Sequence, residues 1–373
     1  MPNYLVVATS GRAIAQGLIS LGNSVAVVDG FADCDTLAAA TETIKVKRTH
    51  TGLDSSETLQ AVRNLQSKIN FTGLFFDSAI ESNPSLLNEI KIRPIFGNSS
   101  QSIEACKNPK VFFATLDQCS IPHPETIVTS ESVEALAGDW LVKTANSNGG
   151  LGVIPVVDKQ ENILDLTEGQ YLQKKLEGIS FSLTFLANKE EILVLGYNAQ
   201  WHTKLNDSMP FVYSGAINNV KLNDDAKKTA QQYARILAKQ FDLVGINSVD
   251  FIYLDNTVYV LEINPRFPAT YDLYETKYGE LMKEHIEVCT TNILPAKIRP
   301  PLLRAHAIVY APNDICIAAD MAWPLWSSDR PHPGEVIYHN EPVCNVFAGG
   351  QNSAQVYEMI VRRKQSIISK LTH

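Results

Sequence analysis

The chain has 373 residues, 45% of them hydrophobic and 19% charged, with a formal net charge of −8. That length exceeds one simple core, so about two or three packed units are expected. The acidic balance and the absence of any long Lys/Arg run argue against nucleic acid and anionic membranes as partners. No run of about 20 apolar residues is present to span a bilayer. The six cysteines include no CxxC pair and read as reduced thiols. The N-terminus MPNYLVVATSGRAIA has no charged stretch ahead of a long apolar run, so it does not read as a signal peptide, and a cytoplasmic location is expected.

Leu5–Ala8 reads as a short buried strand, Thr9-Ser10-Gly11-Arg12 as a turn, and Ala13–Leu21 as a helix with Ile14, Leu18 and Leu21 on one side. Gly22-Asn23 stops that helix, and Val25–Val28 is a second strand ending at Asp29. Leu74–Phe76 and Ile95–Phe96 suggest further strands, with helical stretches near 57–69 and 84–90. Residues 1–105 are therefore expected to form a small parallel, Rossmann-like α/β domain. Asp29 ends the second strand where a ribose-binding acid could sit. However, Ser10-Gly11-Arg12 with Gly17 is not GxGxxG, so dinucleotide binding is not expected.

From about residue 106 the pattern changes to α+β. Pro109–Gln118 is helical, and Trp140–Thr144, Gln170–Leu176, Ser180–Ala187 and Ile192–Ala199 are strands. Ala226–Phe241 is an amphipathic helix expected to be capped by Asp224 or Asp225. Ile246–Leu254 and Thr257–Asn264 form a hairpin around Asp255-Asn256. These elements place a second domain at 106–295. Beyond it, at 296–373, the chain is Pro-rich, with β-like runs at Ala305–Tyr310 and Pro342–Ala348 and a last helix near 352–370. A small β-rich extension is expected there.

The hairpin carries the strongest chemical signal. Asp250, Glu262 and Asn264 interrupt otherwise apolar strands. A three-residue connection pairing Leu254 with Val258 would set Asp250 opposite Glu262, with Asn264 on the same face. Two facing carboxylates are costly unless a cation lies between them, and hard oxygen ligands with few protein contacts suit Mg²⁺ completed by phosphates. The alternative is a solvated surface hairpin, and a one-residue slip would separate the pair. Lys143, at a strand end, is followed by Asn146-Ser147-Asn148-Gly149-Gly150-Leu151-Gly152, whose backbone N–H groups could approach phosphate. It is not a Walker A loop, because GK[ST] is absent. The strand Tyr171-Leu172-Gln173-Lys174-Lys175-Leu176 runs into a linker able to expose backbone groups to a base edge.

In this order, these residues resemble the ATP-grasp superfamily. The resemblance implies an ATP-grasp fold behind the N-terminal α/β domain, two subdomains around a nucleotide, and ATP with Mg²⁺ (or Mn²⁺) as cofactors. Lys110 matches the first nucleotide-binding lysine and Lys143 the second, which is also a catalytic candidate. Asn148, Gly149, Gly150 and Gly152 match the loop over the phosphates. Gln173–Leu176 match the adenine hinge, with Lys174 and Leu176 offering backbone groups. Gln173 and Ser180 stand where acids are frequent, which leaves the ribose contacts open. Asp250, Glu262 and Asn264 match the metal ligands, and Arg266 matches an arginine that steadies the γ-phosphate or acyl phosphate.

A narrower resemblance spans nearly the whole chain. SGRAIAQ, FFDSAIES, WLVKTANSNGG, LEINPRF, WPLWSSDRPHPG and PVCNVFAGG look like a group described as predicted ATP-grasp carboligases, found with methanopterin-linked one-carbon metabolism in methylotrophs and archaea. It implies an ADP-forming carboxylate–amine ligase working through an acyl phosphate, in biosynthesis of a methanopterin- or methanofuran-type carrier. Small-molecule carboxylate and amine substrates are implied, and a homodimer is compatible. A bicarbonate-activating carboxylase is the rival enzyme, although no biotin-carrier segment such as AMKM is present. A degenerate nucleotide-binding regulator is the non-enzymatic rival. For the substrates, Arg12 and Glu81 lie where open α/β sheets bind ligands. Arg12 is a candidate partner for a carboxylate, Glu81 for an amine, and His202 for a cleft wall. Trp323, Trp326 and Asp329-Arg330 read as packing and a local ion pair.

Overall fold

The computed structural model describes residues 1–49, 51–129, 133–134, 138–156, 163–298 and 302–372. Apolar runs at the N-terminus form β1 (Asn3–Ala8), β2 (Ser24–Asp29) and β4 (Gly73–Phe76), and the more polar β3 (Glu42–Lys45) adds an edge to the parallel sheet, in the order β3-β2-β1-β4. Between the strands run α1 (Arg12–Ser20), α2 (Cys34–Ala39) and α3 (Ser55–Gln66). Leu5, Val7 and Leu74 pack on the α3 side, while Val6, Ala8 and Phe75 pack on the α1 side. Burial on both faces is why these strands read as unbroken apolar runs. The expected strand at Ile95–Phe96 reduces to a bridge between Ile95 and Leu74. Two short helices follow, α4 (Leu86–Glu89) and α5 (Ser100–Lys107).

Asn108 ends α5 and caps α6 (Pro109–Gln118), accepting from the N–H groups of Lys110 and Val111. Pro109 stands in the first turn, where its missing donor costs nothing. A small antiparallel sheet comes next. It contains β5 (Thr126–Ile127), β7 (Trp140–Thr144), β8 (Val153–Pro155) and β10 (Gln170–Lys174), in the order β5-β10-β7-β8. The pair β6 (Val133–Glu134) and β9 (Ile163–Leu164) stands apart from it. The glycine loop is the β7–β8 connection.

The large sheet has eight strands in the order β15-β14-β11-β12-β13-β16-β20-β18. They are β11 (Ile179–Asn188), β12 (Ile192–Thr203), β13 (Val212–Ile217), β14 (Val244–Leu254), β15 (Thr257–Asn264), β16 (Leu303–Tyr310), β18 (Ser327–Ser328) and β20 (Pro342–Gly350). The short pair β17 (Ile315–Cys316) and β19 (Val336–Ile337) lies beside them. α7 (Asp224–Gln240) lays Ala226, Ala230, Ala234 and Leu237 into the core beneath β11 and β14. Its cap is Asn223, one residue ahead of the expected Asp224 or Asp225. α8 (Glu280–Thr291) packs Leu281 and Met282 against the α1 face of the N-terminal sheet, and α9 (Ser353–Leu371) covers β16 and β20.

The C-terminal strands therefore continue the central sheet, because β16 pairs directly with β13. They also reach back to the N-terminal unit. Asp329 and Arg330 do not form the local ion pair expected from sequence. Asp329 takes Arg12 at 2.9 Å, and the Arg330 Nε takes Asp35 at 2.9 Å. Trp323 and Trp326 do pack in the local core. Among the described residues no helix is long and apolar enough to cross a membrane.

Candidate active site

Asp250 does face Glu262, but the route differs from the expected three-residue loop. Leu254 pairs with Thr257 across a two-residue turn. Asp255 and Asn256 hold it at φ 48° and 61°, left-handed conformations that Asp and Asn tolerate. With that turn alone Asp250 would oppose Leu261. A bulge between Asp250 and Phe251 shifts the register by one, so Asp250 meets Glu262 and Ser248 meets Asn264. The Asp250 carboxylate accepts from Gln200 Nε2 and from Asn264 Nδ2, each at 3.0 Å. Asn264 Oδ1 accepts from Arg266 Nη2 at 3.0 Å.

The two carboxylates divide their burden unequally. Burial and the nearby Glu262 charge push Asp250 up to about 7. Burial acts on Glu262 too, but Lys107 and Lys143 outweigh it and hold Glu262 below the ordinary range. A divalent cation fits this pair, since it would remove the repulsion that raises Asp250. Asn264 lies beside them, with its oxygen directed at Arg266. Among the described residues no group of three or more His, Cys, Asp or Glu side chains could hold a metal ion alone. Remaining coordination positions would fall to a bound ligand.

Lys143 donates to Gln173 Oε1 at 3.1 Å. Burial opposes its charge, yet Tyr171, Glu262 and Asp250 keep it above its usual value. Lys110 is exposed on α6 and lines neither of the cavities described next. Lys107, three residues earlier, is the inward cation, with a side chain 8% exposed and 3.2 Å from Glu81. The proline restart between α5 and α6 turns the chain there, which the repeated lysines alone did not reveal.

Two cavities meet at the carboxylates. One, of about 390 Å³, lies between the small sheet and the large one. The other, of about 420 Å³, lies among the N-terminal unit, the large sheet and the C-terminal strands. Gly149, Gly150, Gln200, His202, Asp250 and Glu262 line both. The glycine loop thus roofs the junction. Its turn needs φ 62° at Gly149 and 77° at Gly150, and a Cβ on Gly150 would collide with the Phe211 carbonyl. Tyr213 N–H donates to the Gly149 carbonyl at 2.9 Å, docking the loop on β13. Asn148 lines only the second cavity, and Gly152, tucked against Ser147, lines neither.

Gln173, Lys174, Leu176 and Ser180 line the first cavity together with Lys143 and Lys107. Gln173 is 2% exposed and spans Lys143 and the Thr126 hydroxyl. The Lys174 N–H is already committed to the Glu125 carbonyl at 2.8 Å. Of the two residues expected to offer backbone groups, Leu176 has an N–H with no acceptor among the described residues.

The expected substrate residues separate. Arg12 lines the second cavity, but Asp272 (2.5 Å) and Asp329 (2.9 Å) already saturate its guanidinium. Glu81 lines neither cavity and is wholly buried between Lys107 and Arg266. His202 stands at the shared wall. Asp29, the tempting ribose acid, is used up by the N–H groups of Gly11, Phe31 and Ala32. Asp77 lines the second cavity and holds the N–H groups of Thr9 and Ser10. Lys107, Gln200, Asp77 and Asp272 were not singled out from sequence, because each enters the site through tertiary contact rather than a local pattern.

The sequence profile of the ATP-grasp domain family matches residues 106–270. The carbamoyl phosphate synthase large chain of Lachnoclostridium phytofermentans is 28% identical over 196 residues, 48% of this chain and 18% of that one. The chain thus spans about a fifth of that relative's length. Among solved structures, the L-amino acid ligase of Bacillus licheniformis superposes with a TM-score of 0.72 at 14% identity, covering 98% of this chain and 97% of that one. The biotin carboxylase of Campylobacter jejuni superposes with a TM-score of 0.72 at 12% identity, covering 95% and 89%. The profile match falls on the segment that holds Lys143, the glycine loop and the Asp250–Glu262 pair, and the chain has an ATP-grasp fold.

Proposed function

We propose that the protein is an ATP-dependent ligase that activates a carboxylate as an acyl phosphate and joins it to an amine, releasing ADP and phosphate. One observation carries this reading: two chambers of similar size share a wall made of the carboxylate pair and the glycine loop. A nucleotide in the first chamber would present its γ-phosphate at that wall, and the acceptors would occupy the second.

Asp250 and Glu262 would hold Mg²⁺, which supplies charge neutralisation on the phosphates. Lys143 and Lys107 add positive charge from the nucleotide side, and Arg266 adds it from the acceptor side. The Leu176 N–H is offered to the base. A substrate carboxylate oxygen attacks the γ-phosphorus and ADP leaves. The amine nitrogen then attacks the acyl carbon, phosphate leaves, and the nitrogen gives up a proton. The seated loop excludes water that would otherwise hydrolyse the acyl phosphate. The whole-chain resemblance to methanopterin-linked carboligases supports a product in the synthesis of a one-carbon carrier.

The match to carbamoyl phosphate synthase chains and the likeness to biotin carboxylase favour a second reading, in which bicarbonate is the activated carboxylate. Both are tested by ADP and phosphate release from Mg·ATP with amino acids or bicarbonate, each with and without amines. ADP formation requiring one organic carboxylate and one amine is expected. A requirement for bicarbonate selects the second reading, and AMP with pyrophosphate overturns both. Tight Mg·ATP binding without turnover on any pair would favour a regulator.

A further inference from the structure

Among the described residues, three acids shielded in the N-terminal unit are held by backbone amides. Asp29 accepts from Gly11, Phe31 and Ala32, Asp33 from Asp35 and Thr36, and Asp77 from Thr9, Ser10 and Ala79. Each fixes a turn or a helix start, which is reason enough for its presence. Glu81 differs. It is 0% exposed, and neither carboxylate oxygen has a hydrogen-bond partner among the described residues. Its charge is met by two cations: Lys107 Nζ at 3.2 Å from Oε1, and Arg266 Nε at 3.4 Å from Oε2. The Arg266 Nε likewise has no hydrogen-bond partner among the described residues.

An isolated buried carboxylate is costly, and so are two buried cations brought together. Glu81, Lys107 and Arg266 come from three separate places: the turn after β4, the end of α5 and the segment after β15. Lys107 lines the nucleotide chamber and Arg266 the acceptor chamber. Glu81 therefore sits behind the two cations that flank the phosphate path, touching both and facing neither cavity.

We propose that Glu81 is a surrogate anion. It gives Lys107 and Arg266 the negative charge that a phosphate would otherwise supply, competes with phosphate for them, and so sets nucleotide affinity. This rests on the reading that the Lys107 chamber takes the nucleotide. Contacts without hydrogen-bond alignment are suited to such exchange, because little directional bonding is lost when phosphate oxygens take over. The benefit to the enzyme is product release, since a site with two uncompensated cations would retain ADP.

Wild type, Glu81→Gln and Glu81→Asp are titrated with Mg·ADP and with adenosine by calorimetry, and melted with and without Mg·ADP. Glutamine keeps the volume and removes the charge. Mg·ADP is expected to bind Glu81→Gln roughly tenfold tighter than wild type. Adenosine, which carries no phosphate, should bind both alike. Glu81→Gln should melt lower without nucleotide and gain more from Mg·ADP than wild type does. A purely structural Glu81 would lower melting in every condition and leave the ADP-to-adenosine affinity ratio unchanged, and that result overturns the proposal. Weaker Mg·ADP binding by Glu81→Gln overturns it too. If Glu81→Gln does not fold, Glu81→Asp decides, since its shorter carboxylate should give about a threefold tightening and an unchanged ratio refutes the idea. Wild type that binds neither ligand removes the nucleotide reading, and this inference with it.

Discussion

At the scale of single residues, the site is a balance of charge around Asp250 and Glu262. Gln200 and Asn264 each donate to Asp250, while Lys107 and Lys143 act on Glu262. Replacing Glu262 by Gln removes one charge from the proposed metal-holding pair and also relieves the repulsion on Asp250. Turnover should fall at least about 100-fold while the protein still folds and melts cooperatively. ADP release and thermal melting check this together, and activity above about a tenth of wild type sinks the assignment. The two lysines allow a sharper comparison. Lys107 is inward and Lys110 exposed. Lys107→Met should weaken Mg·ADP binding about tenfold or more, and Lys110→Met should leave it near wild type by calorimetry. The reverse order would restore the assignment expected from sequence.

At the scale of elements, the glycine loop and the hairpin show how local rules meet tertiary ones. Gly149 and Gly150 both need positive φ, but only Gly150 is pressed against the Phe211 backbone. Gly149→Ala should therefore cost about 1–2 kcal/mol of backbone strain, whereas Gly150→Ala cannot seat the loop at all. The expected outcome is uncoupling, with ADP release exceeding ligated product several-fold in Gly150→Ala and far less in Gly149→Ala, read as the ADP-to-product ratio. Equal ratios would separate the loop from water exclusion. The facing of Asp250 and Glu262 was legible because polar residues in apolar strands mark a functional face. The bulge that creates it was not, since an inserted residue leaves the apolar alternation ambiguous. Likewise β13 carries Ser214 and Gly215 within its run, so its pattern is weak, and its strand state comes from pairing with β12 and β16. Lys107 was hidden because its direction depends on where α5 ends, not on its neighbours.

At the scale of the whole molecule, the second chamber exists only because the chain closes on itself. Arg12 from α1 is clamped by Asp272, which follows β15, and by Asp329 at β18, so the two ends of the chain meet on one guanidinium. Asn345 and Ser328 also donate to Asp329. This closure could not be read from sequence, because Asp329-Arg330 looks like a local pair and its true partners are some 300 positions away. Burial alone would raise Asp329, but Arg12 and these hydrogen bonds outweigh it and hold its carboxyl down to about 2. The sign follows directly. A folded-state value below the ordinary Asp value of about 3.9 means that the unfolded chain binds the proton more readily. The clamp therefore contributes its full stability above about pH 4 and loses it as pH falls toward about 2. For a side chain mostly shielded from solvent, that contribution is on the order of 2 kcal/mol at neutral pH. Asp329→Asn should melt well below wild type at pH 7, with the gap narrowing steadily as the pH is lowered from about 4. A gap that stays constant with pH would mean that Asp329 acts through packing rather than charge. A gap that widens in acid would reverse the linkage and refute the clamp.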